Sequence, residues 1–199
     1  MGAWITTVAP EDAQGRLREL YDSVRTPHGT VDNVMRAHSL RPETMAGHLA
    51  LYRAVLHNPQ NVLPPAFLET VAAEVSRING CAYSLAHHWA NAARLIGDPA
   101  RAGAVWRALE AGRPEAAFPA REAALLAYAA KLTRTPGAMV RADWQALKDA
   151  GCTDGEILEV NQVAAYFAYS NRLLNGLGVD TEGDVIGYYE APASAGREP

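Results

Sequence analysis

Apolar residues recur at helical spacing along most of the chain. They fall three or four positions apart in successive segments, and no stretch alternates long enough to predict a strand. A first helix is expected from about Pro10 to Val24, where Leu17, Leu20 and Tyr21 share one face. The pattern as a whole predicts a single-domain, all-α helical bundle of about eight helices.

Prolines, glycines and capping residues set the expected bounds of the other helices. Pro42 suits a first helical turn, where its missing N–H costs nothing. Asp98 is expected to cap one helix, and Thr153 with Glu156 to form the capping box of a long one. The later helices are expected near residues 34–38, 42–56, 65–78, 81–97, 99–109, 119–133, 138–149 and 153–174. We expect one domain over residues 1–180, followed by an irregular C-terminal tail, 181–199.

Composition narrows the class of protein. Of 199 residues, 49% are hydrophobic and 20% are charged, which is typical of a globular domain. The net charge of -4 and the lack of a basic run argue against a nucleic-acid partner. No apolar stretch is long enough for a membrane span, and the N-terminus lacks the pattern of a signal peptide. Two cysteines are too few for a disulfide scaffold. We therefore expect a cytoplasmic protein with neither nucleic acid nor membrane as a partner.

The stretch NGCAYSLAHH, residues 79–88, contains the candidate chemistry. On a helical wheel, Ser84 falls about 60° and His88 about 20° from Cys81, so the three should share one stripe. His87 falls about 120° away and should point elsewhere. Cys81 begins its helix, where unpaired N–H groups favour a thiolate. From spacing alone, a buried structural cysteine and an ordinary hydrogen-bonded histidine remain the alternative.

Glu69 lies twelve positions before Cys81, on the preceding helix. The Asn79–Gly80 break would let the two helices fold back, which would bring this carboxylate to the cysteine. An exposed helix glutamate is the alternative. A zinc site needs three or four ligands and Cys81 with His88 supplies two, so neither a metal nor another cofactor is predicted.

With these residues in place, the chain resembles the alkylhydroperoxidase D-like group within the carboxymuconolactone decarboxylase family, and more closely its peroxidase-related members. Their pattern is a glutamate, eleven residues, then Cys-x-x-Cys-x-x-x-His, which here becomes Glu69, Cys81, Ser84 and His88. The likeness extends over about residues 5–180. It implies an all-helical AhpD-like fold with the motif on a central helix pair. It also implies self-association as a homo-oligomer (a dimer, trimer or hexamer).

The resemblance further implies a mechanism for the active relatives. Their glutamate and histidine relay protons to a cysteine pair that reduces organic hydroperoxides, and a thiol protein then reduces the oxidised pair. The attacking position is Ser84 in this chain, and a hydroxyl cannot pass through the sulfenic-acid step. Three hypotheses stay open. In the first, Cys81 alone attacks a hydroperoxide, activated by the Glu69/His88 relay and resolved by an external thiol reductant or a distant cysteine. In the second, Glu69 and His88 carry out non-redox chemistry on a small carboxylated ring lactone, and Cys81 only packs. In the third, the chain is a catalytically silent oligomeric binding protein.

Overall fold

The computed structural model describes residues 2–187, and within that range it is all-helical, with no strand. Two short 3-10 turns, Pro114–Ala116 and Pro136–Ala138, accompany the α-helices. In chain order the α-helices are α1 (Gly15–Ser23), α2 (Asn33–Arg36), α3 (Pro42–Leu56), α4 (Pro65–Ile78), α5 (Ala82–Ile96), α6 (Pro99–Glu110), α7 (Ala120–Arg134), α8 (Arg141–Asp149) and α9 (Asp154–Leu177). The predicted all-α class is confirmed, with nine helices in the described range where about eight were expected. None of these helices has the combined length and hydropathy needed to cross a bilayer.

The first helix is shorter than predicted, because α1 begins at Gly15 and not at Pro10. The Asp12 N–H donates to the Ala9 carbonyl in a turn, and the Arg18 guanidinium donates to the Pro10 carbonyl at 2.6 Å. A turn therefore replaces the first helical turns that were expected there.

The predicted caps are present. The Asp98 carboxylate accepts the backbone N–H of Ala100 at 2.9 Å, and Thr153 forms the expected capping box with Glu156. At the far end of α9, Gly178 adopts a φ of 58°, which favours glycine, and a side chain there would collide with the Trp4 ring. These local signals explain why most helix bounds could be predicted from the sequence.

Helix α4 lies at the centre of the bundle, with ten buried residues. Its Val71 and Val75 belong to the same core cluster as Leu125 of α7 and Val163 and Phe167 of α9. The most extensive helix–helix contact is between α4 and α5. The central pair therefore carries both the core and the candidate motif, as the resemblance implied.

After α9, the chain turns back across α2 and α5 in a segment that we call the C-terminal strap, residues 180–187. The Asn33 side chain donates to the carbonyls of Asp180 and Glu182, both at 2.9 Å. The Asp184 carboxylate accepts the Asn33 N–H at 3.1 Å and the Tyr83 hydroxyl at 2.6 Å. Neither a helix nor a strand is present in the strap. Residues 188–199 of the predicted tail lie outside the described residues, and the division into a domain and a tail stays a prediction.

Candidate active site

The turn between α4 and α5 builds the site. Gly80 adopts a φ of 63°, a conformation that favours glycine, and the Cys81 N–H donates to the Ser76 carbonyl at 2.9 Å. Cys81 itself is the N-cap of α5, with extended backbone angles. This turn folds α5 back along α4, so that one face of each helix lines a shared buried layer.

Glu69 of α4 and His88 of α5 form a hydrogen-bonded pair in this layer. Glu69 Oε2 lies 2.7 Å from His88 Nδ1, and Glu69 is 1% exposed. A carboxylate can only accept, so the Nδ1–H donates, and the neutral ring then keeps the lone pair of Nε2. The Phe167 ring contacts the imidazole edge-on at a centroid distance of 4.5 Å. The pair is thus a fixed imidazole whose second nitrogen is available for proton transfer.

Ser84 takes part in a different network. The Ser76 hydroxyl donates to the Ala72 carbonyl at 2.8 Å, and its oxygen lies 2.9 Å from Ser84 Oγ. Because the Ser76 proton is already used, Ser84 must be the donor in the second bond. Its proton is therefore directed away from His88, and Ser84 offers the cavity an acceptor rather than an activated nucleophile.

Cys81 does not share the surface of Ser84 and His88. It is 1% exposed and packs in a cluster with Ala3, Ala37, Leu174 and neighbouring apolar side chains. Burial raises the pKa of the thiol above its ordinary value, and this outweighs the opposite effect of nearby hydrogen bonds. The sequence predicted a lowered pKa for Cys81 because the residue lies at a helix start. The pKa is raised instead, because desolvation has the larger effect.

A cavity of about 310 Å³ opens in front of the imidazole. Its wall includes Ser84 and His88 of α5, Tyr52 of α3 and Phe167 of α9, whereas neither Cys81 nor Glu69 lines it. The other polar members of the wall that bear on chemistry are His48, His87, Asn91, Asp32, Arg25 and Arg53. Gly187 of the C-terminal strap also lies on the wall, so the strap closes part of this cavity.

The helical wheel wrongly predicted that His87 points away from the site. Both His87 and His88 line the cavity, because the cavity extends around α5 towards α2 and the strap. Burial lowers the pKa of His87 to about 4, and that of His48 and His57 to about 3. These three rings are therefore neutral near pH 7.

Sequence reasoning did not predict several buried residues of the cavity wall, among them His48 and Asn91. For Asn91 a signal exists, since the polar positions 84, 88 and 91 follow helical spacing within a largely apolar helix. For His48 none does, because its place depends on how α3 packs against α9. Within residues 2–187, no group of three or more His, Cys, Asp or Glu side chains is arranged to hold a metal ion.

No protein-family model matches the chain, and no curated protein matches it. Several solved structures, however, are similar to this chain. An uncharacterized peroxidase-related protein from Ralstonia eutropha, described as an alkylhydroperoxidase AhpD core, is 22% identical, with a TM-score of 0.79 over 95% of this chain and 98% of that one. A second uncharacterized peroxidase-related protein, from a Silicibacter species, is 24% identical, with a TM-score of 0.77 over 92% and 93% of the two chains.

A third similar structure is a debrominase in complex with 2,3,4-tribromopyrrole, which is 18% identical with a TM-score of 0.71 over 92% of this chain and 94% of that one. The same architecture therefore occurs in a debrominase and in two uncharacterized peroxidase-related proteins. At these identities, what the comparisons establish is the arrangement of the helices. This chain has the fold of the alkylhydroperoxidase AhpD core, as the resemblance of its sequence implied.

Proposed function

We propose that this chain is an acid–base enzyme that acts on a small carboxylated ring molecule in the cavity beside His88. His88 Nε2 removes a proton from a carbon next to a carbonyl and returns one to the product. Glu69 holds the ring through Nδ1 and stabilises the imidazolium that forms in between. The observation that carries the proposal is the 2.7 Å contact between Glu69 Oε2 and His88 Nδ1, with the imidazole on the cavity wall.

The positions of the Cys81 sulfur and the His88 imidazole favour His88 as the reacting group. A nucleophile must meet its substrate, and Cys81 is 1% exposed and absent from the cavity wall. The raised pKa of Cys81 also keeps the thiol protonated near neutral pH. His88 lies on the cavity wall, where a substrate can reach it, and a buried carboxylate orients its ring.

Size and lining support the substrate class. A volume of about 310 Å³ suits a single small ring, and the rings of Tyr52 and Phe167 provide apolar walls for a flat molecule. Arg53 is an exposed cation on the wall and forms no ion pair with a described acidic residue, so it suits a substrate carboxylate. The debrominase of the same fold binds a flat five-membered ring, 2,3,4-tribromopyrrole. A carboxylated unsaturated lactone combines these features and carries an acidic C–H.

Deuterium incorporation into a carboxylated unsaturated γ-lactone in D₂O, followed by proton NMR, tests the proposal. Wild-type protein should accelerate exchange at the carbon next to the lactone carbonyl, and Glu69→Gln should lower the rate by about 100-fold or more. Glu74→Gln is the matched control, because Glu74 is also buried on α4 but pairs with Arg77 away from the cavity. The proposal fails if wild-type protein catalyses no exchange, or if both variants behave alike.

A single-thiol peroxidase is the second candidate. In its favour, Cys81 is the N-cap of α5, and the neighbouring Ser84 and Tyr83 backbone and the Asn171 side chain lower the pKa of its thiol, against the larger effect of burial. The thiolate sulfur would attack the terminal oxygen of the hydroperoxide and break the O–O bond, which leaves a sulfenic acid and an alkoxide that takes up a proton and departs as the alcohol. An external thiol would then condense with the sulfenic acid to a mixed disulfide with loss of water, and a second external thiol would release the Cys81 thiol as the two reductant sulfurs form a disulfide. Trapping with a dimedone probe after hydroperoxide treatment decides it: labelling at Cys81 supports the candidate, and labelling at Cys152 alone removes it.

The expected partners depend on which candidate holds. A hydroperoxide substrate and a thiol reductant protein are required only if Cys81 reacts. Self-association as a dimer, trimer or hexamer stays a prediction for either candidate, as does a cytoplasmic location. Sedimentation equilibrium of the full chain measures the assembly state directly.

A further inference from the structure

We propose that Asn91 of α5 is a further catalytic residue, whose side-chain N–H donates a hydrogen bond to the substrate oxygen that becomes negative when His88 removes a proton. The inference deepens the proposed function and rests on it. The juxtaposition that carries it is a base and an unpartnered amide donor on one face of α5, both on the cavity wall.

Asn91 is buried but presents one polar group to the cavity. It is 4% exposed and lines the cavity wall. Of its two polar atoms, Oδ1 is sealed and Nδ2 is not, and neither forms a hydrogen bond within the described residues. The amide nitrogen is therefore the polar atom of Asn91 that a bound molecule can meet, and this atom can only donate.

Asn91 and His88 are neighbours on α5. They lie three positions apart, which places their Cβ atoms about 5–6 Å from each other on one helical face. A carbon acid needs its C–H about 3 Å from the base and its carbonyl oxygen about 3 Å from a donor. Because that carbon and that oxygen are only two bonds apart in the substrate, a base and a donor one helical turn apart can serve both.

Other polar groups on the wall are already engaged. The Ser84 hydroxyl donates to Ser76, and the Tyr83 hydroxyl donates to the Asp184 carboxylate at 2.6 Å. Exposed Arg53 is the cation suited to the substrate carboxylate. Asn91, by contrast, keeps its amide hydrogens free of a partner among the described residues.

The assisted step is a proton transfer that needs no co-reactant. The C–H bond next to the carbonyl breaks and its proton moves to His88 Nε2. The electron pair forms a carbon–carbon double bond, and the carbonyl becomes an enolate whose oxygen carries the charge. A fixed donor at that oxygen stabilises the charge as it develops, and such a donor typically contributes about 100-fold or more to turnover.

Binding of an enolate analogue tests the contact without turnover. Tetronate is a five-membered lactone that is already ionised as an enolate at about pH 8, and calorimetric titration of the full chain should show that it binds. Asn91→Leu should weaken binding at least about tenfold, and Asn91→Asp, which puts a negative acceptor of equal size there, should weaken it further. Ser170→Ala is the matched control, because Ser170 is a buried hydroxyl on the α9 part of the wall, and it should change affinity by about twofold or less.

Three results of the titration would overturn the inference. They are no binding of tetronate to wild-type protein, unchanged affinity in Asn91→Leu, and an equal loss in Ser170→Ala. Circular dichroism at the titration temperature checks that the helices of each variant are intact, and the isosteric Asn91→Asp keeps the test decisive if the leucine disturbs packing.

The lactone exchange reaction separates this inference from the proposed function. Asn91→Leu should lower kcat by about 100-fold and keep KM within about threefold, because the hydrogen bond strengthens as the charge develops. Exchange that depends on Glu69 but not on Asn91 would overturn the inference and leave the proposed reaction standing. Asn91-dependent binding of tetronate without any exchange by wild-type protein would support the amide contact and overturn the proposed reaction.

Discussion

Glu69 Oε2 and His88 Nδ1 lie 2.7 Å apart, which joins the two central helices through one buried carboxylate–imidazole hydrogen bond. The contact fixes the ring against Phe167 and leaves its other nitrogen for the cavity. Buried groups of this kind are strongly oriented, since an unpaired partner would carry a large desolvation penalty. The relationship ties the fold of α4 and α5 to the chemistry proposed for the site.

The tautomer of His88 is the first prediction. With a carboxylate as acceptor, the neutral ring should carry its proton on Nδ1, and ¹⁵N NMR at pH 8 should show a protonated Nδ1 and an unprotonated Nε2. Glu69→Ala should remove that bias and shift population towards the other tautomer. A proton on Nε2 in the wild-type protein would contradict the assigned hydrogen bond.

Cys81 should be slow to react. Burial both shields the thiol and raises its pKa, so alkylation by iodoacetamide at pH 8 should be at least about tenfold slower in the folded protein than in urea. Mass spectrometry of timed samples follows the two cysteines separately. Alkylation of Cys81 as fast in the folded chain as in the unfolded one would show an accessible thiolate and would favour the peroxidase candidate.

Introducing a cysteine at position 84 should create thiol chemistry. Ser84 lines the cavity beside His88, so the sulfur of Ser84→Cys would meet a hydroperoxide there, with Cys81 three positions away to resolve it. Turnover of cumene hydroperoxide with dithiothreitol should rise at least about tenfold over wild type, and Ser84→Ala should give no such rise. An inert Ser84→Cys protein would mean that the cavity does not support attack from this position.

Acid should destabilise the fold through its buried histidines. The folded-state pKa is about 3 for His48 and His57 and about 4 for His87, whereas unfolded histidine titrates near 6.5. Between these values the unfolded chain binds more protons, so the free energy of unfolding is constant above about pH 7 and falls as the pH drops below about 6.5.

The expected slope in that range is about 1.4 kcal/mol per pH unit for each histidine. Urea unfolding at pH 7.5, about 6 and about 5 measures it, and His48→Phe should remove one histidine's share. A free energy of unfolding that stays constant down to about pH 5 would show that these rings are not held neutral.

The C-terminal strap depends on Asp184. Its side chain is 3% exposed and accepts hydrogen bonds from the Asn33 N–H and the Tyr83 hydroxyl. Asp184→Ala should lower the free energy of unfolding by about 1–3 kcal/mol and speed proteolysis within residues 180–187. Asp180→Ala is the control, because the Asp180 carboxylate accepts the Glu182 N–H within the strap, whereas the Asn33 side chain contacts only the Asp180 carbonyl. Equal effects of the two substitutions would show that the Asp184 carboxylate is not what fastens the strap.

Much of the architecture was predictable because its signals are local. Pro42, Asp98 and the Thr153–Glu156 box each act within one helical turn, and the structure confirms the helix starts that they predicted. The start of α1 was not predicted correctly. A turn replaces the expected first helical turns before Gly15, and the Arg18 side chain holds this turn through the Pro10 carbonyl.

The site was predictable only in part. The fold-back at Gly80 was expected to bring Glu69 to the cysteine, and the hydrogen bond that the structure shows joins Glu69 to His88, the two residues that the resemblance named as a relay. A helical wheel assumes helical angles at every position, and Cys81 has the extended angles of an N-cap. Which side chains meet the cavity depends on the packing of α3 and α9, and no spacing within α5 encodes that packing.

The most direct test of the central claim compares Cys81→Ala with His88→Gln in the lactone exchange reaction in D₂O. If the imidazole and not the sulfur does the chemistry, Cys81→Ala should keep a rate within about threefold of wild type, and His88→Gln should lose about 100-fold or more. A Cys81→Ala protein that loses exchange while His88→Gln retains it would contradict the account.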